Sequence, residues 1–455
     1  MAAGEVRGRL LEDRRGETAL RIEVDRWEKL PGALGTGRGV PCRVCRHDRL
    51  QSQRFANRGV ACGPHDGVPD AGGTWVGNVT TVVNESGSVW GGTARLVEEM
   101  SIGADAGADE YMLGEIRWVT SDGERILVAD TQVNAIRVYD LDGTDLFDIG
   151  GPGNGPGEFQ EPKAVGVAAD GTIFVQDDRA ARISRFTSSG TYIDYWPKRA
   201  GGFYDGRFTV TPDGRIYIYE GVGARTDPDR EFGMLRHGPD GATDELIKLP
   251  EFDVDTESGY VRYEIDRRVM GMAPVPLVPN VTTSFSSTVT PVGGYPETYR
   301  SEVLYGDGTL MVVENSREPA AADPAEFAWL RDNIAASFRE RVPTWTWTGP
   351  EAPSHKPAYR SVFAADDGRV WVLREGPSHR VEDCAGADAG IDERRERPCW
   401  RPAYVFDVFD QEGRLLTSAA APEATRPGRH AVPARDCGPP PAGPARAHAA
   451  PQASG

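Results

Sequence analysis

The stretch GNGPGEFQEPKAVGVAADGTIFVQDDRAARISRFTSSGTYI, Gly153–Ile193, decides the fold. A turn rich in glycine and proline leads into the short runs AVGVAA, TIFVQD and RISRFT, and a fourth run, TYIDYW, begins at its end. The runs are rich in β-branched and aromatic residues, and Asp170-Gly171 and Ser189-Gly190 stand where tight hairpins need a residue that tolerates positive φ. The stretch therefore predicts a unit of four antiparallel strands.

This unit recurs along the chain, because two series of turn dipeptides repeat. The first three members of each series are 43 to 51 residues apart. Four-stranded units of this length are typical of β-propeller blades. The sequence predicts an all-β, six-bladed propeller with five clear blades and an incomplete sixth. The first series is Asp122-Gly123, Asp170-Gly171, Asp213-Gly214, Gly293-Gly294 and Asp367-Gly368; the second is Asp142-Gly143, Ser189-Gly190, Asp240-Gly241, Asp307-Gly308 and Glu412-Gly413.

The opening stretch also resembles an NHL-type repeat, through its glycine-rich turn, its Gly-x-Phe before a proline and its closing Arg-Phe…Gly. The wider pattern, including TTVVNESGSVWGGTARLVEEMSIG and KPAYRSVFAADDGRVWV, is similar to bacterial six-bladed propellers of the TolB-like class. The resemblance covers roughly residues 74–417, is strongest over 111–220 and is weakest over 250–300. It implies a fold but little about function, because propellers host many unrelated activities.

The two ends do not fit the repeat. Residues 1–73 are predicted to be an irregular, Arg-rich segment, and the Ala-, Pro- and Gly-rich residues 418–455 a disordered tail. Our hypothesis is that one or both ends come from an altered reading frame or a wrongly assigned start. If the ring closes, ARLVEEMSIG (Ala94–Gly103) is expected to be the outermost strand of the last blade.

The glycine-rich loop GGPGNGPGEF (Gly150–Phe159) could bind a phosphate or only turn the chain. Its glycines are spaced by two, no helix follows, and no Gly-Lys-Ser/Thr ending is present, which excludes both a dinucleotide fingerprint and a P-loop. We interpret it as the crossing between the first and second blades.

Two insertions interrupt the repeat. DPAEFAWLRDNIAASFRER reads as a helix with Asp323 as N-cap, Glu326 completing a capping box, and an apolar face of Phe327, Leu330, Ile334 and Phe338. A second excursion, from about Gly376 to Arg401, carries Cys384 and Cys399. These two cysteines are a disulfide candidate, and two unpaired thiols are the open alternative.

Five acidic residues follow the second strands of the units and should share one rim with the crossing loops: Asp130, Asp177, Asp178, Glu220 and Glu375. Oxygen-rich sites of this kind bind calcium or cationic ligands. The plainer interpretation is that Asp130 and Asp177 cap turns. Gluconolactonase-like propellers use acidic and Asn ligands for a metal at that rim, but no full ligand set can be matched here.

An N-terminal cluster has spacing suggestive of zinc, and it comprises Cys42, Cys45, His47, Cys62 and His65. No strand or helix pattern nearby would support a zinc finger. The seven histidines form no recognisable catalytic arrangement, and no nucleophile with an adjacent base emerges, so no catalytic residue is assigned.

The charge of the chain limits its partners. The net charge is −18, and because both ends are slightly basic, residues 73–417 carry about −23. Such a body repels nucleic acid and anionic membranes, and no run is apolar enough for a membrane span or a signal peptide. A periplasmic or secreted location is implied by the resemblance and the cysteine pair, while a cytoplasmic one stays open.

Three functional hypotheses follow. The first is a monomeric, non-enzymatic scaffold without a cofactor, which binds a protein, peptide or glycan through its rim loops. The second is a metal-dependent hydrolase or lactonase with Asp130, Asp177 and Glu220 near the metal. The third is zinc-dependent recognition by residues 42–65.

Overall fold

A computed structural model describes the backbone of residues 5–12, 18–25 and 60–61, and then residues 78–421 with several gaps. The gaps are residues 92–93, 97–99, 105, 199–207, 223–230, 251, 253, 255–258, 289 and 386–397. The zinc candidates Cys42, Cys45, His47, Cys62 and His65 lie outside the described residues, as does the tail from residue 422. No helix of the described part is long and apolar enough to cross a lipid bilayer.

The N-terminal part contributes five strands and one short 3-10 helix, Asp109–Tyr111. Strands β1 and β2 form an antiparallel hairpin, whereas β3, β4 and β5 join sheets built by later parts of the chain. Their bounds are β1 Glu5–Glu12, β2 Thr18–Asp25, β3 Val60–Ala61, β4 Val79–Asn84 and β5 Ala94–Arg95.

Three four-stranded antiparallel blades follow. Blade 1 consists of β6 (Ile116–Ser121), β7 (Arg125–Asp130), β8 (Ala135–Asp140) and β9 (Asp145–Gly150). Blade 2 consists of β10 (Pro162–Val167), β11 (Ile173–Asp177), β12 (Arg182–Phe186) and β13 (Tyr192–Pro197). Blade 3 consists of β14 (Phe208–Val210), β15 (Ile216–Val222), β16 (Glu231–His237) and β17 (Thr243–Ile247).

Two further blades are separated by insertions. The hairpin of β18 (Tyr260–Ile265) and β19 (Arg268–Pro274) precedes blade 4, and helix α1 (Pro324–Arg339) precedes blade 5. Blade 4 consists of β20 (Thr282–Phe285), β21 (Pro291–Gly294), β22 (Arg300–Leu304) and β23 (Leu310–Asn315). Blade 5 consists of β24 (Ser361–Ala364), β25 (Val370–Arg380), β26 (Trp400–Phe409) and β27 (Leu415–Ala420).

The blades pack face to face through their apolar sides. The first strands of neighbouring blades are in contact, β6 with β10, β10 with β14, and β20 with β24. Between blades 3 and 4, the rings of Tyr217 and Phe285 lie 6.1 Å apart. Buried clusters between adjacent blades, such as Leu127, Val138 and Val175, form the core. The described chain is thus an all-β propeller with five blades and one α-helix.

The turn glycines behave as the repeat predicts. Gly123, Gly171, Gly214 and Gly368 of the first series have φ between 80° and 88°, a region that disfavours side chains with a Cβ. The assignment of Gly293-Gly294 to this series is wrong, because both residues lie within β21, and before that strand the Ser286 N–H donates to the Thr290 carbonyl. Blade 4 turns there without a glycine, and the repeat is least regular at this point.

The glycine-rich loop Gly150–Phe159 is a crossing between blades, as expected. It runs from the end of β9 to the residues before β10, and Phe159 is fully buried against Phe186 of blade 2, with the rings 5.7 Å apart. Gly150 has a φ of 82°. Arg182 holds the loop by donating to the carbonyl of Gly155 at 3.2 Å. The loop therefore connects blades and buries an aromatic anchor.

The N-terminal segment covers the outer edges of blades 4 and 5. Strand β4 pairs parallel to β23, and β5 pairs parallel to β27. Asn84 joins the two blades: its side chain donates to the Gly413 carbonyl at 3.0 Å and accepts from the Leu415 N–H at 2.8 Å. Ala94–Gly103 was expected to be the outermost strand of a sixth blade, but its described strand, β5, is a fifth strand of blade 5.

The position of the sixth blade is occupied by covering segments. Leu96 packs on the free side of blade 5, against Trp371 and Phe406. Ile102 and Leu113 pack on the free side of blade 1. Strand β1 contacts β6, so the N-terminal hairpin lies beside the first strand of blade 1. In the described part of the chain, these segments rather than a four-stranded sixth blade cover the apolar sides of blades 1 and 5.

Candidate functional site

The acidic candidates lie on the rim that carries the crossing loops, which we call the crossing rim. It is formed by the starts of the first strands, the ends of the second strands and the loops between blades, such as residues 151–161. Asp130 ends β7 and Asp177 ends β11, as the sequence predicts. Two of the five acids bind backbone N–H groups, and the other three bind basic side chains.

Asp130 and Asp177 fasten the chain where it enters a blade. Both side chains are fully buried. Asp130 accepts hydrogen bonds of 3.0 Å from the backbone N–H groups of Gly114, Glu115 and Gln132. Asp177 accepts equivalent bonds of 2.7, 3.1 and 3.0 Å from those of Gln160, Glu161 and Ala180. The two carboxylates therefore cap the turn that follows their strand, as the plainer interpretation expects. They also hold the crossing segment that enters the blade.

Asp178 and Glu220 belong to a chain of alternating charges between blades 2 and 3. Asp178 binds Lys163 at 2.9 Å and Lys198 at 2.8 Å. Burial raises the pKa of Asp178, but the charge of Lys198 and the hydrogen bonds outweigh this and bring the pKa to about 2. Glu220 lies 3.6 Å from Lys198 and 3.5 Å from Nε2 of the buried His237.

Glu375 belongs to a buried cluster that attaches helix α1 to blade 5. It pairs with Arg360 and lies 3.8 Å from Lys356 Nζ. Lys356, whose side chain is fully buried, binds Glu326 at 3.0 Å and donates to Ser378 Oγ at 2.7 Å. The predicted capping box is therefore wrong in one half: Asp323 caps α1 by accepting from Ala325 N–H, but Glu326 binds Lys356 instead of the N-cap.

A second buried cluster, which the sequence did not indicate, joins blades 4 and 5. Asp407 is fully buried and accepts from Tyr299 Oη and from Arg374 Nε, both at 2.6 Å. Burial, with the charge of Asp407, raises the pKa of Tyr299 well above its usual value. Asp407 lies within a strand, in the middle of VFDVFD. The only sequence signal for it is that a charged residue interrupts an apolar run.

Among the described residues, no three His, Cys, Asp or Glu side chains are grouped so that they could hold a metal ion. Each of the five candidate acids is instead bound to backbone N–H groups or basic side chains of the chain itself. Asp130, Asp177 and Glu220 are therefore not brought together around one point as the hydrolase hypothesis requires.

The insertions before blades 4 and 5 form a cap on the crossing rim. We define the cap as the β18–β19 hairpin, α1 and residues 342–350. Its own apolar core includes Val261, Phe327, Phe338 and Trp345. The rings of Phe338 and Trp345 lie 4.9 Å apart at nearly a right angle. The sequence predicted the helix but not the hairpin, although YVRYEIDRRVMGMAP is centred on a two-residue turn.

The hairpin of the cap exposes large apolar side chains. The described chain has twelve exposed large hydrophobic residues. Four of them lie in one stretch of eight residues of this hairpin: Ile265, Val269, Met270 and Met272. Single exposed apolar residues are normal, but clusters of them mark interaction surfaces. Flexible, polarizable Met side chains are common on such surfaces.

The second excursion is shorter than predicted, because β25 and β26 continue to pair beyond Gly376. His379 pairs with Arg401 and Arg380 with Trp400. Cys384 and Cys399, just beyond these pairs, form a disulfide with their Cα atoms 4.8 Å apart. The extended hairpin of blade 5 is therefore closed by a covalent bond.

Comparison with known proteins gives a partial family match. The model of the DUF5128 family, described as a 6-bladed beta-propeller, matches residues 107–195, which span blades 1 and 2. No curated protein matches the chain. The NHL-type repeat and the TolB-like class are not confirmed by these matches.

Similar solved structures share little sequence. A protein described as exported, from Bacteroides fragilis, is 10% identical with a TM-score of 0.37, and the alignment covers 70% of this chain and 73% of that one. A member of the duf4221 family from Bacteroides vulgatus is 12% identical with a TM-score of 0.34, and the alignment covers 69% of this chain and 82% of that one. A gluconolactonase from Xanthomonas campestris is 13% identical with a TM-score of 0.30, and the alignment covers 68% of this chain and 78% of that one. No activity is transferred from them, and the chain is identified by its fold, an all-β propeller whose first two blades match a 6-bladed beta-propeller family.

Proposed function

We propose that the protein is a non-enzymatic binding scaffold and that the cap on its crossing rim receives a protein, peptide or glycan ligand. The observation that carries the proposal is the concentration of exposed large apolar residues in the hairpin of the cap: Ile265, Val269, Met270 and Met272. Elsewhere on the rim, the carboxylates of Asp130 and Asp177 are occupied, because they accept hydrogen bonds from backbone N–H groups of the chain.

We also propose a propeller class, a source and a cellular compartment for the protein. We infer an NHL-like propeller of the TolB-like class, from a bacterium, working as a monomer in the periplasm or outside the cell. The Cys384–Cys399 disulfide supports an oxidising compartment, because such bonds persist there and are rare in the cytosol. Binding should need no cofactor, so neither EDTA nor added calcium should change it.

A paired set of surface variants tests the function. The purified chain is screened against a phage-displayed library of random linear peptides and a printed glycan array. The double variant Val269→Ser/Met270→Ser changes the cap, and Leu146→Ser/Ile193→Ser changes exposed apolar residues on the outer strands of blades 1 and 2. We expect selected ligands to lose binding with the first variant and to keep it with the second.

Two results would contradict this function. One is that no peptide or glycan binds the wild-type chain. The other is that ligands bind but are indifferent to the cap variant. Turnover of a lactone that requires added divalent metal would instead support the hydrolase hypothesis.

A further inference from the structure

The two edges of the cap hairpin are not equivalent. The β18–β19 sheet has two strands, and the edge of β18 is covered by Trp345, whose Nε1 donates to the Arg262 carbonyl at 2.9 Å. Arg262 is paired with Met272 across the hairpin. In antiparallel sheets, opposite residues of a non-hydrogen-bonded pair both point their main-chain groups outward. Since the Arg262 carbonyl points outward, the N–H and C=O of Met272 face the other side, along β19.

Several apolar side chains of β19 are exposed beside this open edge. The register shifts from Tyr263↔Gly271 to Glu264↔Val269, so Met270 is the extra residue of a β-bulge. A bulge breaks the alternation of side chains between the two faces of a strand. As a result, Val269 and Met270 are both exposed, at 49% and 56%, and Met272 is exposed at 54%.

The charge of the hairpin differs from that of the propeller body. Arg267 and Arg268 are exposed and make no ion pair with any described residue. They lie on a chain whose residues 73–417 carry about −23. Since the body repels anions, a ligand with acidic groups is attracted at this place only by the local excess of basic side chains, three Arg against Glu264 and Asp266.

We propose that β19 is a strand-addition site: an extended segment of a partner protein pairs with the open edge of β19. The segment lays apolar side chains on Met270 and Met272 and places a carboxylate beside Arg268. This inference rests on the proposed binding function and names its partner. A lipid surface fits less well, because the apex of the hairpin is the charged pair Asp266-Arg267, with φ of 53° and 64°, and the apolar residues lie behind it.

The test uses peptides selected from the random linear library and then synthesised with a fluorophore. Binding to the full chain is followed by fluorescence anisotropy at two salt concentrations. Met272→Pro removes the outward N–H, Met272→Leu keeps an apolar side chain, and Arg268→Glu reverses the charge. On the ligand side, N-methylation at single positions removes one main-chain donor at a time, so the test does not depend on the proline variant folding.

We expect selected peptides to alternate apolar residues and to contain Asp or Glu. Met272→Pro and N-methylation at alternate positions should weaken binding at least about tenfold, and Met272→Leu should not. Arg268→Glu should weaken binding and reduce its dependence on salt. Peptides that bind the crossing rim but tolerate both Met272→Pro and every N-methylation would overturn strand addition and leave the binding function standing. Absence of any peptide or glycan ligand would overturn both.

Discussion

Blades 1 to 3 and blades 4 and 5 protect their outermost strands by different means. In the first three, an Arg of the third strand binds an Asp of the outermost strand, in the pairs Arg137–Asp148, Arg185–Asp194 and Arg236–Asp244. In the last two, the outermost strands LMVVEN and LLTSAA are apolar and are covered by β4 and β5. Charge and coverage are both ways to stop an exposed strand edge from pairing with another chain.

The N-terminal segment and the last two blades therefore depend on each other. An apolar outermost strand buries more surface, but it needs a cover from the same chain. An outermost strand with a central carboxylate needs no cover. The following predictions disturb one means of protection or the other.

The largest effect is expected for Val82→Asp. Val82 lies in β4 and is 6% exposed, so the variant places an unpaired carboxylate in the cover of blade 4. We expect a loss of at least about 3 kcal/mol in the free energy of unfolding and concentration-dependent aggregation. Urea unfolding and light scattering measure the two effects. Val79→Asp in the same strand is the control, because Val79 is 40% exposed; an equal loss there would contradict the role of the cover.

A somewhat smaller effect is expected for Asn84→Ala. The variant removes the bridge between blades 4 and 5 and leaves the Leu415 N–H and the Gly413 carbonyl without their buried partner. A loss of about 2–4 kcal/mol in the free energy of unfolding should follow. Asn84→Asp keeps the acceptor for Leu415 N–H but not the donors, so an intermediate loss should be seen. Full stability of Asn84→Ala would show that the bridge does not hold the blades.

Blades 2 and 3 are predicted to depend on pH through Asp178. Its pKa of about 2 lies below the usual value, so the carboxylate stabilises the folded state fully above about pH 4 and less as the pH falls towards 2. Asp178→Asn should cost about 2 kcal/mol near neutral pH. The difference between wild type and variant, measured by urea unfolding from pH 7 to 2.5, should shrink below pH 4. A constant difference would contradict the assignment.

The smallest effect on stability is expected for Asp194→Leu in the outer strand of blade 2. Arg185 donates to Asp194 at 2.6 and 2.5 Å, but the pair is partly exposed, so its loss should cost less than about 1 kcal/mol. Self-association should nevertheless rise, because Leu joins exposed Ile193 and Tyr195 into an apolar edge. Sedimentation velocity measures it. Asp194→Asn, which stays polar, should associate less; equal association of both variants would contradict protection by charge.

The regular blades could be predicted from the sequence because their signals are local. The apolar runs RILVAD and TIFVQD and the glycines of the Asp-Gly turns act within a few residues, so strand type and turn position follow from them. The one failure among these turns, Gly293-Gly294, lies in blade 4, which turns with Ser286 and Thr290 instead. The helix was predicted for the same local reason.

The site could be predicted only in part. The positions of Asp130 and Asp177 at one rim followed from strand direction, but their donors, such as Gly114 and Gln160, come from the chain that enters the blade. Glu326 shows the limit of a local rule, because Lys356, 30 residues away, outcompetes the N-cap. Which edge of the hairpin is covered also depends on a distant residue, because Trp345 covers β18.

By itself the sequence determined the blade repeat, the turns, the helix and the acidic character of the body, because each depends on residue type and short-range spacing. Only the tertiary structure decided which edges are covered, which acids meet lysines, and where apolar side chains stay exposed. Those outcomes depend on contacts such as Asn84 with Leu415, 331 residues apart. A periodic pattern carries no record of such pairs, since burial and charge pairing are settled by which surfaces meet when the ring assembles.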